Sequence, residues 1–326
     1  MDPVSHAIFG RTLIGLDQRR RLGRGAVTAC VLGSLAPDLD IVLAPRGWDV
    51  YLRWHQAGTH AIAGALVCGA LTAAVIRAAA PDSRFSRLFL AASAGALGHQ
   101  LLDLISGADL RPLWPLTGWP VALPLFAMAD PWLVSFFLVA IIALWIRPRA
   151  RVAGLALALL GVLVGAKGAL YARALGLEDR SVAHGTARRA DAGWGEPTRW
   201  TIFEAFPTRL EAWQVDAVRG RVDLVMNVDR GLADPLVERS RALPTVQNLL
   251  RSHGMTLARV RPQPDGAHEV VWTDLRYCTP GSPGLKTRPT SDISCALWFG
   301  GDFDARGRAT AAIVHVGGFV QRRPPR

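Results

Sequence analysis

Three pairs of His and Asp residues lie near the ends of hydrophobic segments, and both residue types bind divalent metal ions. The pairs are Asp38 with Asp40, His55 with His60, and His99 with Asp103. Ionisable side chains at membrane depth are costly and usually mark function. A metal ion satisfies several carboxylates and imidazoles at once, and this mixture suits Zn²⁺, Mn²⁺ or Fe²⁺ better than Ca²⁺. The sequence therefore predicts a divalent-metal site.

The spacing within two of the pairs brings their side chains together. His99 and Asp103 are four residues apart and share one face of a helix. Pro37 ends or bends the helix before it, so that Asp38 and Asp40 can both turn inward. Taken singly, each residue has a plainer interpretation: an Asp after Pro is often a turn residue, and a lone His is often hydrogen-bonded to a neighbour. The prediction of a metal site depends on the whole set.

The remaining pair, His55 and His60, lies where the next apolar segment begins. Thr59 is predicted to cap that helix, which leaves His60 in the first helical turn and His55 in the loop before it. A short apolar helix over 4–16 carries His6 at its start. If this helix also begins outside the membrane, His6 reaches the same level as the other ligands.

Two further polar residues are candidates for outer partners that hold a ligating His. One is Thr59, beside His60, and the other is Asp130, which is flanked by apolar residues. Asp130 also precedes Pro131, so it could equally be a ligand or begin a helix. The sequence leaves these roles open.

The composition is typical of an integral membrane protein. Of 326 residues, 50% are hydrophobic and 19% are charged, and the mean hydropathy is +0.22; soluble domains carry roughly 25% charged residues. A spanning helix needs roughly 20 mostly apolar residues. The candidate spans are 26–44, 58–76, 88–106, 121–146 and 152–174.

The formal net charge of +11 has two interpretations. Basic chains bind nucleic acid, but arginines also hold membrane loops in the cytoplasm. We favour the second and expect no nucleic-acid partner, because the arginines fall between apolar segments. The metal residues and the chain after about 175 then lie on the extracytoplasmic side of a bacterial inner (cytoplasmic) membrane. The Arg-rich loops are 11–24, 77–87 and 147–151.

After about residue 176 the apolar residues alternate, and Gly, Pro and charge increase. The fold class is therefore predicted as mainly α: a polytopic transmembrane helical bundle over 1–175, followed by an extramembrane α+β, β-rich domain over 176–326. A helix is expected from Pro244 to Gly254. Strands are expected over Val222–Val228, Glu269–Arg276, Cys295–Phe303 and Ala309–Val316.

The cysteines and the remaining histidines carry less information. Cys278 and Cys295 could pair if the C-terminal half lies outside the cytoplasm, whereas Cys30 and Cys68 lie in apolar segments and are interpreted as packing residues. The C-terminal histidines have no ligand spacing and are interpreted as surface or structural residues. They are His184, His253, His268 and His315.

Six short motifs occur along the first 131 residues: MDPVSHA at 1–7, PDLD at 37–40, HQAGTH at 55–60, GHQLLD at 98–103, LWP at 113–115 and ADP at 129–131. In this order they resemble the motifs of the membrane-bound metal-dependent hydrolase family of YdjM-like and YfhP-like inner-membrane proteins. The β-rich tail is similar to the extra domain of longer members. The chain departs from the family at Gln56, where Arg is usual, and at Ala61, where Ser is frequent.

The resemblance implies a metal-dependent hydrolase. The predicted ligands are more than one tetrahedral ion needs, so two ions are expected, with Zn²⁺ or Mn²⁺ as the leading candidates. Asp40 or Asp103 is expected to act as the general base. Membrane lipid is an expected partner, and a lipid-linked or other small-molecule phosphoester is the expected substrate. The alternatives are a transporter of metal ions or protons, and a non-catalytic scaffold. The predicted metal ligands are His6, Asp38, Asp40, His55, His60, His99 and Asp103.

Overall fold

The computed structural model describes residues 1–17, 21–55, 57–279, 288–289 and 294–325. Gln56 and two arginines of the 11–24 loop, Arg19 and Arg20, lie outside the described residues. Internal contacts divide the chain into two compact units. The first comprises Met1–Ile41, Trp54–Ala174 and Asp191–Trp200, and the second comprises Val42–Arg53, Leu175–Ala190 and Thr201–Arg326.

The N-terminal half of the chain is helical. Its first helix begins with Pro3 and is capped by Asp2, whose carboxylate accepts a hydrogen bond from the Ser5 amide at 2.8 Å. The helices are α1 (Pro3–Ile14), α2 (Ala26–Gly33), a 3-10 helix (Ala36–Arg46), α3 (Trp48–His55), α4 (Ile62–Ala79), α5 (Phe85–Ile105), α6 (Pro131–Ile146) and α7 (Ala150–Ser181).

Three of the described helices, α4, α5 and α7, are long and apolar enough to cross a membrane. A fourth span is formed if α2 and the 3-10 helix count as one, although their axes differ by 42°. This break interrupts the predicted 26–44 span just before Pro37. Apolar side chains on these helices are exposed, as expected for lipid-facing surfaces; examples are Leu71 and Val75 of α4 and Val162 of α7.

The prediction of one span over 121–146 is wrong. Helix α6 begins at Pro131 and has 16 residues. Asp130 caps it, because its Oδ1 accepts hydrogen bonds from the amides of Trp132 at 2.9 Å and Leu133 at 3.1 Å. Of the three roles considered for Asp130, its contacts are those of a helix-start residue.

Helix α5 is the most enclosed of the three candidate spans. In its most apolar 18-residue window 67% of residues are buried, against 28% in α4 and 17% in α7. Two glycines allow α5 to lie directly on α2. A Cβ on Gly95 would collide with the carbonyl oxygen of Cys30, and a Cβ on Gly33 would collide with that of Ala92.

The second unit is rich in β-structure. One sheet has four strands in sequential order, and another has five in the order β12-β11-β10-β6-β5. Two short helices, α8 (Pro235–Ser240) and α9 (Pro244–Ser252), precede the second sheet. The strands are β1 (Ala187–Ala192), β2 (Arg199–Ala205), β3 (Arg209–Asp216), β4 (Arg221–Asp229), β5 (Thr256–Pro262), β6 (His268–Asp274), β7 (Cys278–Thr279), β8 (Arg288–Pro289), β9 (Ser294–Cys295), β10 (Leu297–Phe303), β11 (Ala309–Val316) and β12 (Phe319–Arg323).

The strongest sequence patterns in this half are confirmed. Strands β4, β6, β10 and β11 and helix α9 lie where they were predicted, within a few residues. The sequence analysis missed β1, β2, β3, β5 and β12, whose apolar residues alternate less regularly. Cys278 and Cys295 form a disulfide, and their strands β7 and β9 are paired at this position.

A buried charge cluster holds three strands of the five-stranded sheet together. Glu269 of β6 lies 3.2 Å from Arg261 Nη1 of β5 and 3.3 Å from His315 Nε2 of β11. Burial alone would raise the pKa of Glu269, but the hydrogen bond from His315 and the charge of Arg261 lower its pKa to about 2. His315 is thus structural, as is His253, whose Nε2 lies 2.8 Å from the Tyr277 hydroxyl.

We predict that Gly95→Ala lowers the melting temperature of the detergent-purified protein, because the added methyl group forces α5 away from α2. The expected cost is about 1–3 kcal/mol of unfolding free energy. Gly161→Ala in α7 is the matched control, since a Cβ there meets nothing within 4 Å. Equal melting temperatures for the two variants would contradict the close packing described for Gly95.

We predict that Glu269 makes the second unit sensitive to acid. Its folded pKa of about 2 lies below the ordinary value of 4.5, so its ion pairs stabilise the fold above pH 4.5 and are lost as the pH falls towards 2. Unfolding followed by tryptophan fluorescence at a series of pH values should show that Glu269→Gln lowers the unfolding free energy by about 1–3 kcal/mol near neutral pH. Between pH 4.5 and 2 the unfolding free energy of this variant should depend less on pH than that of the wild type. Glu238→Gln, at an exposed ion pair, should leave this pH dependence unchanged.

Candidate metal centre

His99 is held by the backbone of a neighbouring helix end. It lies in the last two turns of α5, is fully buried, and its Nδ1 lies 2.8 Å from the carbonyl oxygen of Ser34, which follows α2. A carbonyl oxygen can only accept, so Nδ1 carries the proton. In the neutral ring Nε2 therefore presents a lone pair on the other side.

His60 is held in the same tautomer by a relay of two side chains. The Thr59 hydroxyl donates to Asp40 Oδ2 at 2.8 Å and lies 3.0 Å from His60 Nδ1. Since the hydroxyl proton points to Asp40, the oxygen accepts from Nδ1. The prediction that Thr59 caps α4 is wrong: the helix begins at Ile62, no side chain caps it, and His60 lies in the turn before it.

The two imidazoles therefore face each other with their lone pairs. His60 Nε2 and His99 Nε2 are 3.1 Å apart, and both side chains are buried. Two lone pairs at this distance repel unless a proton or a cation lies between them. Two nitrogen ligands of one tetrahedral zinc ion are separated by about 3.3 Å, so the arrangement fits a shared metal ion.

Two carboxylates complete the group. Asp103 Oδ2 lies 3.3 Å from His60 Nε2 and 3.1 Å from His99 Nε2. Asp38 Oδ1 lies 3.5 Å from each of the same nitrogens. The i,i+4 spacing that suggested a common helix face for His99 and Asp103 is what brings Asp103 beside both rings. Two nitrogens and two oxygens at these separations are a suitable donor set for zinc or manganese.

His6 adds a third imidazole. Its ring is fully buried and stacks on His99 with a centroid distance of 3.7 Å. Neither ring nitrogen has a hydrogen-bond partner among the described residues, although Nε2 lies 3.3 Å from Asp103 Oδ1. The same carboxylate oxygen lies 2.5 Å from the amino nitrogen of Met1. Polar ring atoms without partners in a buried place are costly, and metal ligation would satisfy them.

His55 and Asp40 form the more exposed side of the cluster. His55 Nδ1 lies 3.0 and 3.1 Å from the two oxygens of Asp40. Both Asp40 oxygens are therefore engaged, one of them also by the Thr59 hydroxyl. Such a carboxylate fixes the orientation and tautomer of the imidazoles around it. On this side of the cluster the side chains of Asp38 and His55 are 30% and 22% exposed.

Overlapping groups of these side chains offer ligand atoms within 4.8 Å of one another. All but Asp40 of the seven predicted ligands take part in such groups, and Asp40 contacts His55 directly and His60 through Thr59. This number of ligands is enough for more than one ion. The groups are His6 with Asp38 and His99, Asp38 with His55 and His60, and His60 with His99 and Asp103.

Sequence reasoning missed two residues that position the cluster. Ser34 acts through its backbone carbonyl, so no side-chain pattern could indicate it. Gln100 donates from Nε2 to the carbonyl oxygen of Ala61 at 2.7 Å and so holds the turn that carries His60. The signal for Gln100 was a buried amide in an otherwise apolar helix.

Comparisons with known proteins concern mainly the half of the chain that contains this cluster. A model of the YdjM inner membrane protein family matches residues 1–174. The chain is also 28% identical over 152 residues to the uncharacterized protein YfhP of Bacillus subtilis (strain 168). The match covers 44% of this chain and 46% of that protein, so the chain spans about half of the relative's length. No solved structure matches the chain.

We predict that the detergent-purified protein contains Zn, Mn or Fe, and that His60→Ala/His99→Ala contains at least one equivalent less per chain. The reason is that the double variant removes both facing nitrogens. Elemental analysis after gel filtration measures this directly. His268→Ala, on β6, is the control and should keep the wild-type content. An unchanged metal content in the double variant would exclude His60 and His99 as ligands.

Proposed function

The chain belongs to the YdjM inner membrane protein family, and we propose that it is a multi-pass membrane protein and a metal-dependent hydrolase. The observation that carries the proposal is the pair of facing imidazole nitrogens, 3.1 Å apart, flanked by carboxylate oxygens of Asp38 and Asp103. A structural polar network would arrange donors against acceptors. Here acceptors converge on one point, which is the requirement for binding a cation.

A divalent ion bound there would supply Lewis acidity, which makes water a nucleophile near neutral pH. In our proposal His60, His99 and Asp103 hold one ion. A second ion has His6 and Asp38 available, whose ligand atoms lie within 4.8 Å of each other. The side chains of Asp38 and His55 are partly exposed, so we propose that substrate approaches from their side. The buried members of the cluster are His6, His60, His99 and Asp103.

The contacts refine the expected acid–base roles. Asp103 faces His6, His60 and His99, so we assign it as a ligand and drop its role as general base. His55 Nδ1 donates to Asp40 Oδ1 at 3.0 Å, because an ionised carboxylate can only accept. We propose that these two residues act as one acid–base pair, in which Asp40 orients the ring and balances the charge that develops when the ring takes a proton.

The proposed location of the cluster is the extracytoplasmic end of the bundle. Helices α4 and α5 are consecutive and packed together. Arg77 in the last turn of α4, Arg84 in the connection and Arg87 in the first turn of α5 lie at one end of this hairpin. His60 precedes α4 and His99 lies near the end of α5, at the other end. The cluster is therefore at the opposite end of this hairpin from the arginines, which the positive-inside rule assigns to the cytoplasm.

The disulfide in the second unit supports the same orientation, because disulfides form and persist outside the reducing cytoplasm. A hydrolytic site at the membrane surface can act on amphiphilic molecules. We propose a phosphoester of a lipid or lipid-linked molecule as substrate, since divalent ions neutralise charge on phosphate oxygens. Membrane lipid is then both the surroundings and the source of substrate.

We predict that the zinc- or manganese-loaded protein in mixed micelles releases phosphate from phosphatidic acid or cleaves bis(p-nitrophenyl) phosphate. Asp40→Asn should lower kcat by roughly 100-fold or more while the metal content stays at the wild-type level. Asp103→Asn should lose both metal and turnover. Asp82→Asn, in the exposed α4–α5 connection, is the control.

One outcome would reverse the proposal. Metal-dependent ion flux through proteoliposomes, with no hydrolysis of any phosphoester tested, would favour the transport interpretation. The same Asp103→Asn and Asp82→Asn variants distinguish the two cases, because a transporter would lose flux rather than turnover.

A further inference from the structure

We propose that the second unit contains a separate cation site, formed by Glu178, His184 and Glu204, which takes one divalent transition-metal ion such as Zn²⁺ or Mn²⁺. One ligand atom from each of the three residues lies within 4.8 Å of the other two. The residues come from different elements. Glu178 lies in the last turn of α7, His184 in the loop that follows, and Glu204 on β2.

The main observation is two buried carboxylate oxygens that lack donors. Glu178 is 0% exposed and Glu204 is 1% exposed. The Oε1 atom of each has no hydrogen-bond partner in the described part of the chain. An ionised carboxylate oxygen buried without a donor is strongly unfavourable, so this arrangement requires a bound positive charge or a proton.

The other oxygen of each carboxylate is already held. Arg188 Nη1 donates to Glu178 Oε2 at 3.0 Å, and the Gly185 amide donates to Glu204 Oε2 at 2.8 Å. Gly185 allows this contact, because a Cβ there would collide with the carbonyl oxygen of Ala205. These bonds fix the two carboxylates and leave Oε1 of each to the cluster, as outer partners do around metal ligands.

The third member is an imidazole that solvent reaches. His184 Nδ1 lies 3.6 Å from Glu204 Oε1, and its side chain is 51% exposed. Together the three residues offer one nitrogen and two oxygen ligands and leave a position open to water, the pattern of three-ligand zinc sites. The sequence analysis interpreted His184 as a surface or structural residue, since no ligand spacing surrounds it.

The local charge favours a cation. Asp179 lies 2.5 Å from Arg188 Nη1 and 3.7 Å from His184 Nε2. Glu178 and Asp179 share the Arg188 guanidinium, and Glu204 adds a third carboxylate, so the group carries an excess of two negative charges when His184 is neutral. One divalent ion would balance this excess. Such an ion would fasten the end of α7 to β2.

The experiment uses the full-length protein in detergent, stripped with a chelator and titrated with Zn²⁺ against a competing indicator dye. To separate this site from the first, the background is His60→Ala/His99→Ala. We expect one equivalent of Zn²⁺ to bind in this background and to raise the melting temperature. Adding Glu204→Gln, or His184→Ala, should weaken that binding roughly 10- to 100-fold, while Glu238→Gln should leave it unchanged.

The same titration on the wild-type background covers the case in which the double variant does not fold. There, Glu204→Gln should remove one equivalent of Zn²⁺ and leave the metal of the first site in place. Zinc binding that Glu204→Gln leaves unchanged in every background that folds would overturn the proposal. So would an infrared band of a protonated carboxyl that persists with excess Zn²⁺ and vanishes in Glu204→Gln, because the two carboxylates would then share a proton.

Discussion

The hydrogen bond from His99 to the Ser34 carbonyl is the constraint on which the candidate metal site depends. It exists because α2 ends beside α5 and because Gly33 and Gly95 let the two helices touch. With Nδ1 committed to that carbonyl, the ring can turn only its Nε2 lone pair towards His60. Helix packing thus determines the tautomer of a buried side chain, and the tautomer determines what the cluster can bind.

Much of the candidate site could be predicted from the sequence, because ionisable residues are rare in apolar segments unless they serve a function. The predicted ligands are such residues. The i,i+4 pair of His99 and Asp103 needed only helical geometry to be recognised. Thr59 was harder to interpret: as a cap it would have faced backbone amides, whereas in the fold it links Asp40 to His60. Whether a hydroxyl serves backbone or side chain depends on tertiary neighbours that a single sequence does not contain.

The fold was predictable to a similar extent. Long apolar runs and regular alternation indicated α4, α5, α7 and several strands. The prediction of one span over 121–146 failed because the whole region is apolar. Composition alone does not show that the helix begins at Pro131, after the cap residue Asp130. The first strands, β1 to β3, carry charged residues between their apolar residues, and their burial depends on the neighbouring strands with which they pair.

Helix α5 also has a consequence for how the protein reaches the membrane. Its mean hydropathy over the best window is 1.4, below the 1.9 of α4 and the 2.0 of α7, and it brings Ser93, Gln100 and Asp103 into the bundle. Polar residues at helix centres weaken the partitioning of a single helix into lipid. Helix α4 packs against α5, so α5 would enter lipid more favourably as a hairpin with α4 than alone. The polar residues that form part of the candidate site thus make insertion of α5 less favourable, and packing against α4 offsets part of this cost.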